Sequence, residues 1–216
     1  PGLNSGFSFG LHQGGLTLIL QNGTADNGNV IICKERIKIN TGQDINLQDG
    51  AWHQVAFSLS RGERKARFFV DGMIAKEHPY DSPPPNFSGP PNFSGMYDGP
   101  LMVGSPELDN GGRDFIGVLD NLVFLNRALK TAEEVKPLYE FKNDPATTRI
   151  DGALLFLKFN DNLNNAIPDV LPDINITSSG GAAYIGYEGA FAGMDDIFGH
   201  ALNLASPDKY VFITHA

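Results

Sequence analysis

The chain has 216 residues, of which 41% are hydrophobic and 19% charged, so it holds enough apolar material to bury a sizeable core. Its formal net charge of −9 lacks the basic surface that nucleic acids require, so we expect no nucleic-acid partner. No stretch approaches the roughly 20 apolar residues of a membrane span, so we expect no membrane insertion.

The first half of the chain is predicted to consist of short strands. Phe7 and Phe9 alternate in the first strand, and Gly14-Gly15 predicts a hairpin with the segment 16–20. The clearest alternation runs over 52–59, and a polar turn separates it from a strand at 66–70 that ends at Asp71-Gly72. Further strands are predicted at 30–33, 37–39, 101–103, 117–119 and 122–125. Cys33 is the single cysteine, and its apolar neighbours predict a buried, unreactive thiol.

The segment 131–141 predicts a helix. Thr131 suits the N-cap, Glu133 and Glu134 lie near the positive end of the helix dipole, and Pro137 should shorten or kink the helix. A polar linker is predicted at 143–152, followed by strands at 153–159, 183–187, 201–204 and 210–214. Closely spaced short strands with one short helix indicate an all-β fold, a two-sheet antiparallel sandwich.

A proline-rich segment at 79–100 contains the sequence Pro-Pro-Asn-Phe-Ser-Gly twice in tandem. Proline lacks a backbone donor, so this segment is predicted to be an exposed extended loop. It is either a tolerated insertion, a glycosylated spacer, or a loop that contacts a ligand through its aromatic residues, which are Tyr80, Phe87, Phe93 and Tyr97. Asn-x-Ser/Thr sequons predict glycosylation in a secreted eukaryotic protein, although an Asn-rich chain also produces them by chance. They begin at Asn22, Asn86, Asn92 and Asn175.

Three groups of motifs are spaced along the chain. The first is Asp-Gly-Ala-Trp-His-Gln-Val-Ala at 49–56 with Phe-Val-Asp-Gly at 69–72. The second is the segment 115–124 with Asn-Arg-Ala-Leu at 126–129 and the helix, and the third is 154–163 with Gly-His-Ala-Leu-Asn-Leu at 199–204. Together they resemble laminin G-like and pentraxin-like domains of the concanavalin type. The resemblance implies a jelly-roll sandwich with Trp52 in the core. Because side chains alternate along a strand, His53 is then predicted to lie on the opposite, polar surface.

The motif order is permuted relative to these families. Residues 1–142 resemble the back part of such a domain, and residues 153–216 resemble the front part. The front part must therefore complete either the same domain or that of a neighbouring copy. One family strand is missing at both ends, which favours the neighbour. The core residues that we expect to be buried are Trp52, Phe57, Phe69, Phe124, Leu155 and Phe159.

The segment 104–112 resembles the pentraxin calcium loop. The resemblance implies a Ca²⁺ site built from Glu107, the Leu108 carbonyl, Asp109, Asn110 and Asp114, and oxygen ligands of this kind suit that ion. The alternative is a solvated acidic turn. Asp120 and Asn121 either form structural hydrogen bonds or join a cation site with Asn160 and Asp161.

We expect no enzymatic activity. No strand carries the alternating acids of sandwich glycosidases, and no serine elbow, His-Glu-x-x-His or phosphate-binding loop is present. The family resemblance implies a non-catalytic module, extracellular or on the cell surface, that binds a glycan or an extracellular matrix protein. The alternative is a structural repeat of a glycosylated filament, with copies joined head to tail by exchange of strands or half-domains.

Overall fold

The structure is a computed structural model that describes residues 5–12, 15–22, 46–60, 62–79, 101–104, 115–140, 150–157, 174–179, 183–186, 200–204 and 210–215. Strands dominate this part of the chain, and their ladders are antiparallel. The all-β prediction with one short helix is therefore confirmed. No helix within these residues is long and apolar enough to cross a membrane.

The strands, in chain order, are β1 (Ser5–His12), β2 (Gly15–Asn22), β3 (Val55–Ser60), β4 (Lys65–Val70), β5 (Met73–Pro79), β6 (Leu101–Val103), β7 (Val118–Leu119), β8 (Leu122–Leu125), β9 (Ala153–Leu157), β10 (Ile174–Ser179), β11 (Ala183–Gly186), β12 (His200–Asn203) and β13 (Tyr210–His215). The helix is α1 (Ala132–Glu140). Two compact units form: unit 1 contains Pro1–Asn92 and Ala128–Phe141, and unit 2 contains Phe93–Arg127 and Lys142–Ala216.

Unit 1 contains the β1–β2 hairpin and the three-stranded sheet β3-β4-β5. Strand β4 lies in the centre of its sheet, and its residues 66–70 are all buried. Phe57 lies opposite Phe68 and Leu59 lies opposite Ala66, so one face of the sheet gathers apolar side chains. Phe57 and Leu59 pack against a buried cluster whose members are Leu16, Leu18, Ala66, Phe68 and Val70.

The turn between β4 and β5 has the backbone that its sequence predicts. Asp71 has φ 50° and Gly72 has φ 75°, so both residues are left-handed, as a tight two-residue hairpin requires. A Cβ added at Gly72 would lie 3.2 Å from the Tyr139 side chain, so α1 packs closely against this turn. Glycine is therefore required here both by backbone conformation and by the proximity of the helix.

Helix α1 starts where the sequence predicts and contains Pro137. The Glu134 carboxylate accepts hydrogen bonds from the backbone N–H groups of Thr131, at 3.2 Å, and Lys130, at 2.6 Å. This side chain therefore reaches back to the N-cap, as in a capping box. Val135 is fully buried and fixes the helix face that turns inward.

Unit 2 contains the sheets β10-β13-β6, β11-β12-β7 and β8-β9. Their apolar side chains form a second buried cluster, whose members are Leu155, Leu157, Leu202, Leu204, Val211 and Ile213. Strands β6, β7 and β8, which precede the helix in sequence, pair with β13, β12 and β9, which follow it. Residues 153–157 thus pair with 122–125 of the same chain, and the preference for a neighbouring copy does not hold for this ladder.

Several sequence predictions differ from the structure in detail. The strand predicted from residue 52 begins at Val55, and strands β5 and β10 were not predicted. Phe69 and Leu155 are fully buried as expected, whereas Trp52, Phe57 and Phe124 are only partly buried. Phe159, Cys33, the strands predicted at 30–33 and 37–39, and most of the linker 143–152 lie outside the described residues.

Candidate functional site

The predicted site residues lie mostly outside the described part of the chain. This holds for the metal ligands Glu107, Leu108, Asp109, Asn110 and Asp114, for the aromatic residues Tyr80, Phe87, Phe93 and Tyr97, and for the sequons at Asn86 and Asn92. Asn22 is the last residue of β2, and Asn175 lies in β10 opposite Thr214. Thr177, the third residue of the Asn175 sequon, is exposed.

The structure fixes both ends of the acidic segment 105–114. The Phe115 backbone N–H donates a hydrogen bond to the Gly104 carbonyl at 2.6 Å, so the two residues that flank this segment lie side by side. Val103, at the end of β6, and Phe115 both pack against the cluster of unit 2. A Cβ at Gly117 would lie 2.8 Å from the Phe115 ring, so glycine at this position leaves room for that ring.

Asp120 and Asn121 form a hydrogen-bonded corner between β7 and β8. The Asp120 carboxylate accepts bonds from the Asn121 backbone N–H at 2.8 Å and from its side-chain amide at 2.9 Å. Asn121 is left-handed, with φ 52°, a conformation that Asn tolerates well. Burial raises the pKa of Asp120 to about 7, although the hydrogen bond from the Asn121 backbone opposes this shift. The corner is thus hydrogen-bonded, and Asn160 and Asp161 lie outside the described residues.

His53 is held between two carboxylates, a site that the sequence interpretation missed. Its Nδ1 lies 2.8 Å from Asp71 Oδ2, and its Nε2 lies 3.2 Å from Asp49 Oδ1. The side chain is only 15% exposed, so the prediction of a polar surface residue was wrong. The spacing of the Trp-His and Asp-Gly motifs gave a usable signal, because β3 and β4 are neighbours and their register brings the two motifs together.

Asp71 and Gln54 lock the same turn through the backbone. Asp71 Oδ1 accepts the Gln54 backbone N–H at 2.9 Å, and the Asp71 N–H donates to the Gln54 carbonyl at 3.0 Å. The Gly72 N–H donates to Gln54 Oε1 at 3.2 Å. The Asp71 carboxylate therefore bonds both His53 and the Gln54 backbone, and at 24% exposed it is less exposed than Asp49, at 43%.

The His53 site favours a charged imidazole. Burial lowers the pKa of His53, but the hydrogen bonds and charges of Asp71 and Asp49 together outweigh it, so the net shift is upward. The pKa of Asp49 is lowered, first by the bond from the Ala51 N–H and then by His53. His53 therefore lies in an ion-paired turn cluster, which we call the turn clamp and which consists of Asp49, His53, Gln54 and Asp71.

Arg67 is a charged residue that lies buried in unit 1. Its side chain is 6% exposed, its Nε lies 2.6 Å from Glu77, and its Nη2 lies 2.6 Å from Glu63. Lys65 and Lys130 extend this network to the surface through the same two carboxylates. Among the described residues, neither the Arg67 Nη1 atom nor the Ser58 hydroxyl, at the opposing strand position, has a hydrogen-bond partner. Each carboxylate of this network pairs with two cations, and Arg67 lies on the central strand of the sheet, so we assign the network to stability.

Nothing in the described part of the chain forms a ready metal site. Across the residues that the structure describes, no three His, Cys, Asp or Glu side chains group as a metal ion would need. The turn clamp itself is joined by direct hydrogen bonds at 2.8 and 3.2 Å, which leaves no room for an ion between its members.

Comparison with known proteins identifies the family but gives no individual relative. No curated protein and no solved structure matches the chain. A laminin G family model, described as the concanavalin A-like lectin/glucanases superfamily, matches residues 2–136, which is more than half of the chain. That stretch contains the turn clamp, the acidic segment and the Asp120–Asn121 corner. The chain therefore belongs to the laminin G-like domains of the concanavalin A-like lectin/glucanases superfamily, as its motifs predict.

Proposed function

We propose that this protein is a non-catalytic, extracellular module that binds a glycan or an extracellular matrix protein. Membership of a superfamily that contains lectins supports binding as the function class. Laminin G-like domains are typically extracellular and generally act as binding modules, which supports the location and the absence of catalysis.

We further propose that the segment 105–114 binds Ca²⁺ and that ligand binding depends on this ion. The observation that carries this part is the hydrogen bond between Phe115 and Gly104, which fixes both ends of the segment on the core of unit 2. Glu107, Asp109 and Asp114 offer carboxylates, Asn110 offers an amide, and Leu108 offers a carbonyl. A hard cation prefers such oxygen ligands, and the net charge of −9 favours cation binding.

Calcium binding is tested by calorimetry on the wild type and on the double variant Glu107→Gln/Asp109→Asn. We expect binding heat in the wild type that disappears in the double variant. Asp151→Asn is the matched control, because Asp151 is almost fully exposed and lies outside the segment, so its replacement should leave the heat unchanged. A wild type that gives no heat, or a double variant that binds as well as the wild type, contradicts the calcium site.

Ligand binding is tested on arrays of immobilised glycans and matrix proteins, with Ca²⁺ and then with a chelator. We expect binding that the chelator abolishes and that Phe87→Ala/Phe93→Ala weakens, because those rings are the proposed contact residues of the proline-rich loop. Binding that survives the chelator would support the binding function but contradict a role for calcium in it. Failure on every surface, or turnover of a polysaccharide that one carboxylate substitution abolishes, contradicts the proposed function.

No observation within the described residues favours the filament alternative. It required the front part, 153–216, to complete a neighbouring copy. Because 153–157 pair with 122–125 of the same chain, this ladder needs no second copy. We therefore do not extend the proposal to head-to-tail assembly.

A further inference from the structure

We propose that His53 is a proton-operated latch, which ties the turn at Asp49 to the β4–β5 turn when its imidazole is charged and releases Asp49 when the imidazole is neutral. The latch lies in unit 1, whereas the proposed calcium segment 105–114 belongs to unit 2. It would make the conformation of the segment 46–51 depend on pH near neutrality.

The geometry requires two donors on one imidazole ring. Nδ1 faces a carboxylate oxygen of Asp71 at 2.8 Å, and Nε2 faces a carboxylate oxygen of Asp49 at 3.2 Å. An ionised carboxylate only accepts hydrogen bonds, and a neutral imidazole carries one N–H. The neutral ring would therefore direct a lone pair at one of the two carboxylates, and only the charged ring satisfies both.

The two carboxylates differ in how firmly they are held. Asp71 is 24% exposed and also accepts the Gln54 N–H, so its position is set by the turn. Asp49 is 43% exposed, and its remaining hydrogen bond, from the Ala51 N–H at 2.7 Å, stays within its own turn. Loss of the ring proton should therefore leave the bond between Nδ1 and Asp71 and break the one between Nε2 and Asp49.

Within the described residues, the freed segment packs against the core of unit 1 through Leu47. Leu47 packs against the cluster around Phe68, whereas residues 48–51 are exposed. The hydrogen bonds that the structure gives to these exposed residues, from Gln48 N–H to Asn46 and from Ala51 N–H to Asp49, are local. Within the described residues, the bond between Asp49 and His53 thus links this turn to the β4–β5 hairpin, because His53 also bonds Asp71.

The surrounding charges set the direction of the response. Asp49 and Asp71 face His53 in the described residues, and from α1 the backbone of Lys136 lies beside Gly72 at the same turn. The net pKa of His53 is raised above its usual 6.5. The latch is therefore fully closed below about pH 6.5 and opens as the pH rises through the folded-state value.

The test combines proton NMR of the His53 ring with hydrogen exchange of the amides at 48–51, measured from about pH 5.5 to about pH 8.5 around the usual His range. Exchange is expressed as protection relative to the unstructured peptide, which removes the intrinsic effect of pH. We expect a titration midpoint above 6.5 and a several-fold fall in protection over the same pH interval. In Asp49→Asn the midpoint should drop, and the protection should be low at every pH.

His53→Gln should abolish the pH dependence of protection, and His78→Gln is the matched control that should leave it unchanged. Asp49 is exposed, so Asp49→Asn is expected to fold, and the test therefore does not need a substitution at the less exposed Asp71. A midpoint below 6.5, protection at 48–51 that is constant with pH, or the same pH dependence in His53→Gln would each overturn the latch.

Discussion

Arg67 allows a buried and an exposed ion pair to be compared on one carboxylate. Glu77 accepts Arg67 Nε at 2.6 Å and Lys65 Nζ at 3.2 Å. The Arg67 side chain is 6% exposed, whereas those of Lys65 and Glu77 are each 39% exposed. The two cations thus differ chiefly in burial, while the acid is the same.

The expected magnitudes follow from this difference in exposure. A hydrogen bond to a charged group contributes about 1.5–3 kcal/mol when buried, and an exposed ion pair contributes about 0.2–1 kcal/mol. Glu77 is partly screened by solvent, so we expect about 1.5 kcal/mol for its coupling with Arg67 and below about 0.5 kcal/mol for its coupling with Lys65. Arg67→Met also removes the Nη1 atom, which has no hydrogen-bond partner in the part of the chain that the structure describes, and this offsets part of the loss.

Double-mutant cycles measure both couplings directly. Arg67→Met and Lys65→Met are each made with and without Glu77→Gln, and the free energy of unfolding is obtained from urea titrations. Trp52 is the single tryptophan and lies in unit 1, so its fluorescence reports the unit that contains all three substitutions. Equal couplings, or a larger one for Lys65, would refute the argument that burial sets the strength of this network.

Three further predictions concern unit 2. Gly152→Ala should lower the free energy of unfolding by at least about 1–2 kcal/mol, because φ is +74° and the new Cβ would lie 2.8 Å from the Asn126 side-chain oxygen. Gly62→Ala is the control, because a Cβ there would have no atom within 4 Å. Equal urea midpoints for the two variants would contradict this prediction. Leu155→Ala should cost about 2–5 kcal/mol in urea unfolding, since Leu155 is fully buried, and a cost below that of an exposed Leu11→Ala would be inconsistent with the core. The folded chain holds the Asp120 proton up to about pH 7, so wild-type stability should fall as pH rises from about 4 to about 7. Asp120→Asn should remove that contribution, and an unchanged pH slope of the unfolding free energy would show that Asp120 is not its source.

The elements that the sequence predicted well are set by neighbouring residues. The strand residues of β3 and β4 and the left-handed Asp71-Gly72 pair act over a few positions, and the structure has both strands and the turn. The helix also begins as predicted, because its capping residues lie within one turn of each other. Propensity and turn chemistry suffice for such features.

The features that the sequence did not reveal depend on contacts between distant residues. Strand β10 reads Ile-Asn-Ile-Thr-Ser-Ser and is held by its ladder with β13, some 35 positions away, more than by its own apolar content. Strand β5 has a register irregularity opposite Phe68 and Phe69, which blurs its alternation. His53 could be placed between carboxylates only once Asp71, 18 positions later, was known to return beside it.

The part of the chain beyond the family match supports the proposed calcium-binding segment 105–114. The match ends at residue 136, yet β6, β7 and β8 within it pair with strands that begin after residue 152. Val103, which leads into Gly104 and the acidic segment, lies opposite Val211 of β13, and both side chains pack in the same cluster. The bond between Gly104 and Phe115 therefore rests on a sheet that the C-terminal third of the chain completes. If the segment 105–114 binds Ca²⁺, its geometry depends on that third as much as on the motifs that identify the family.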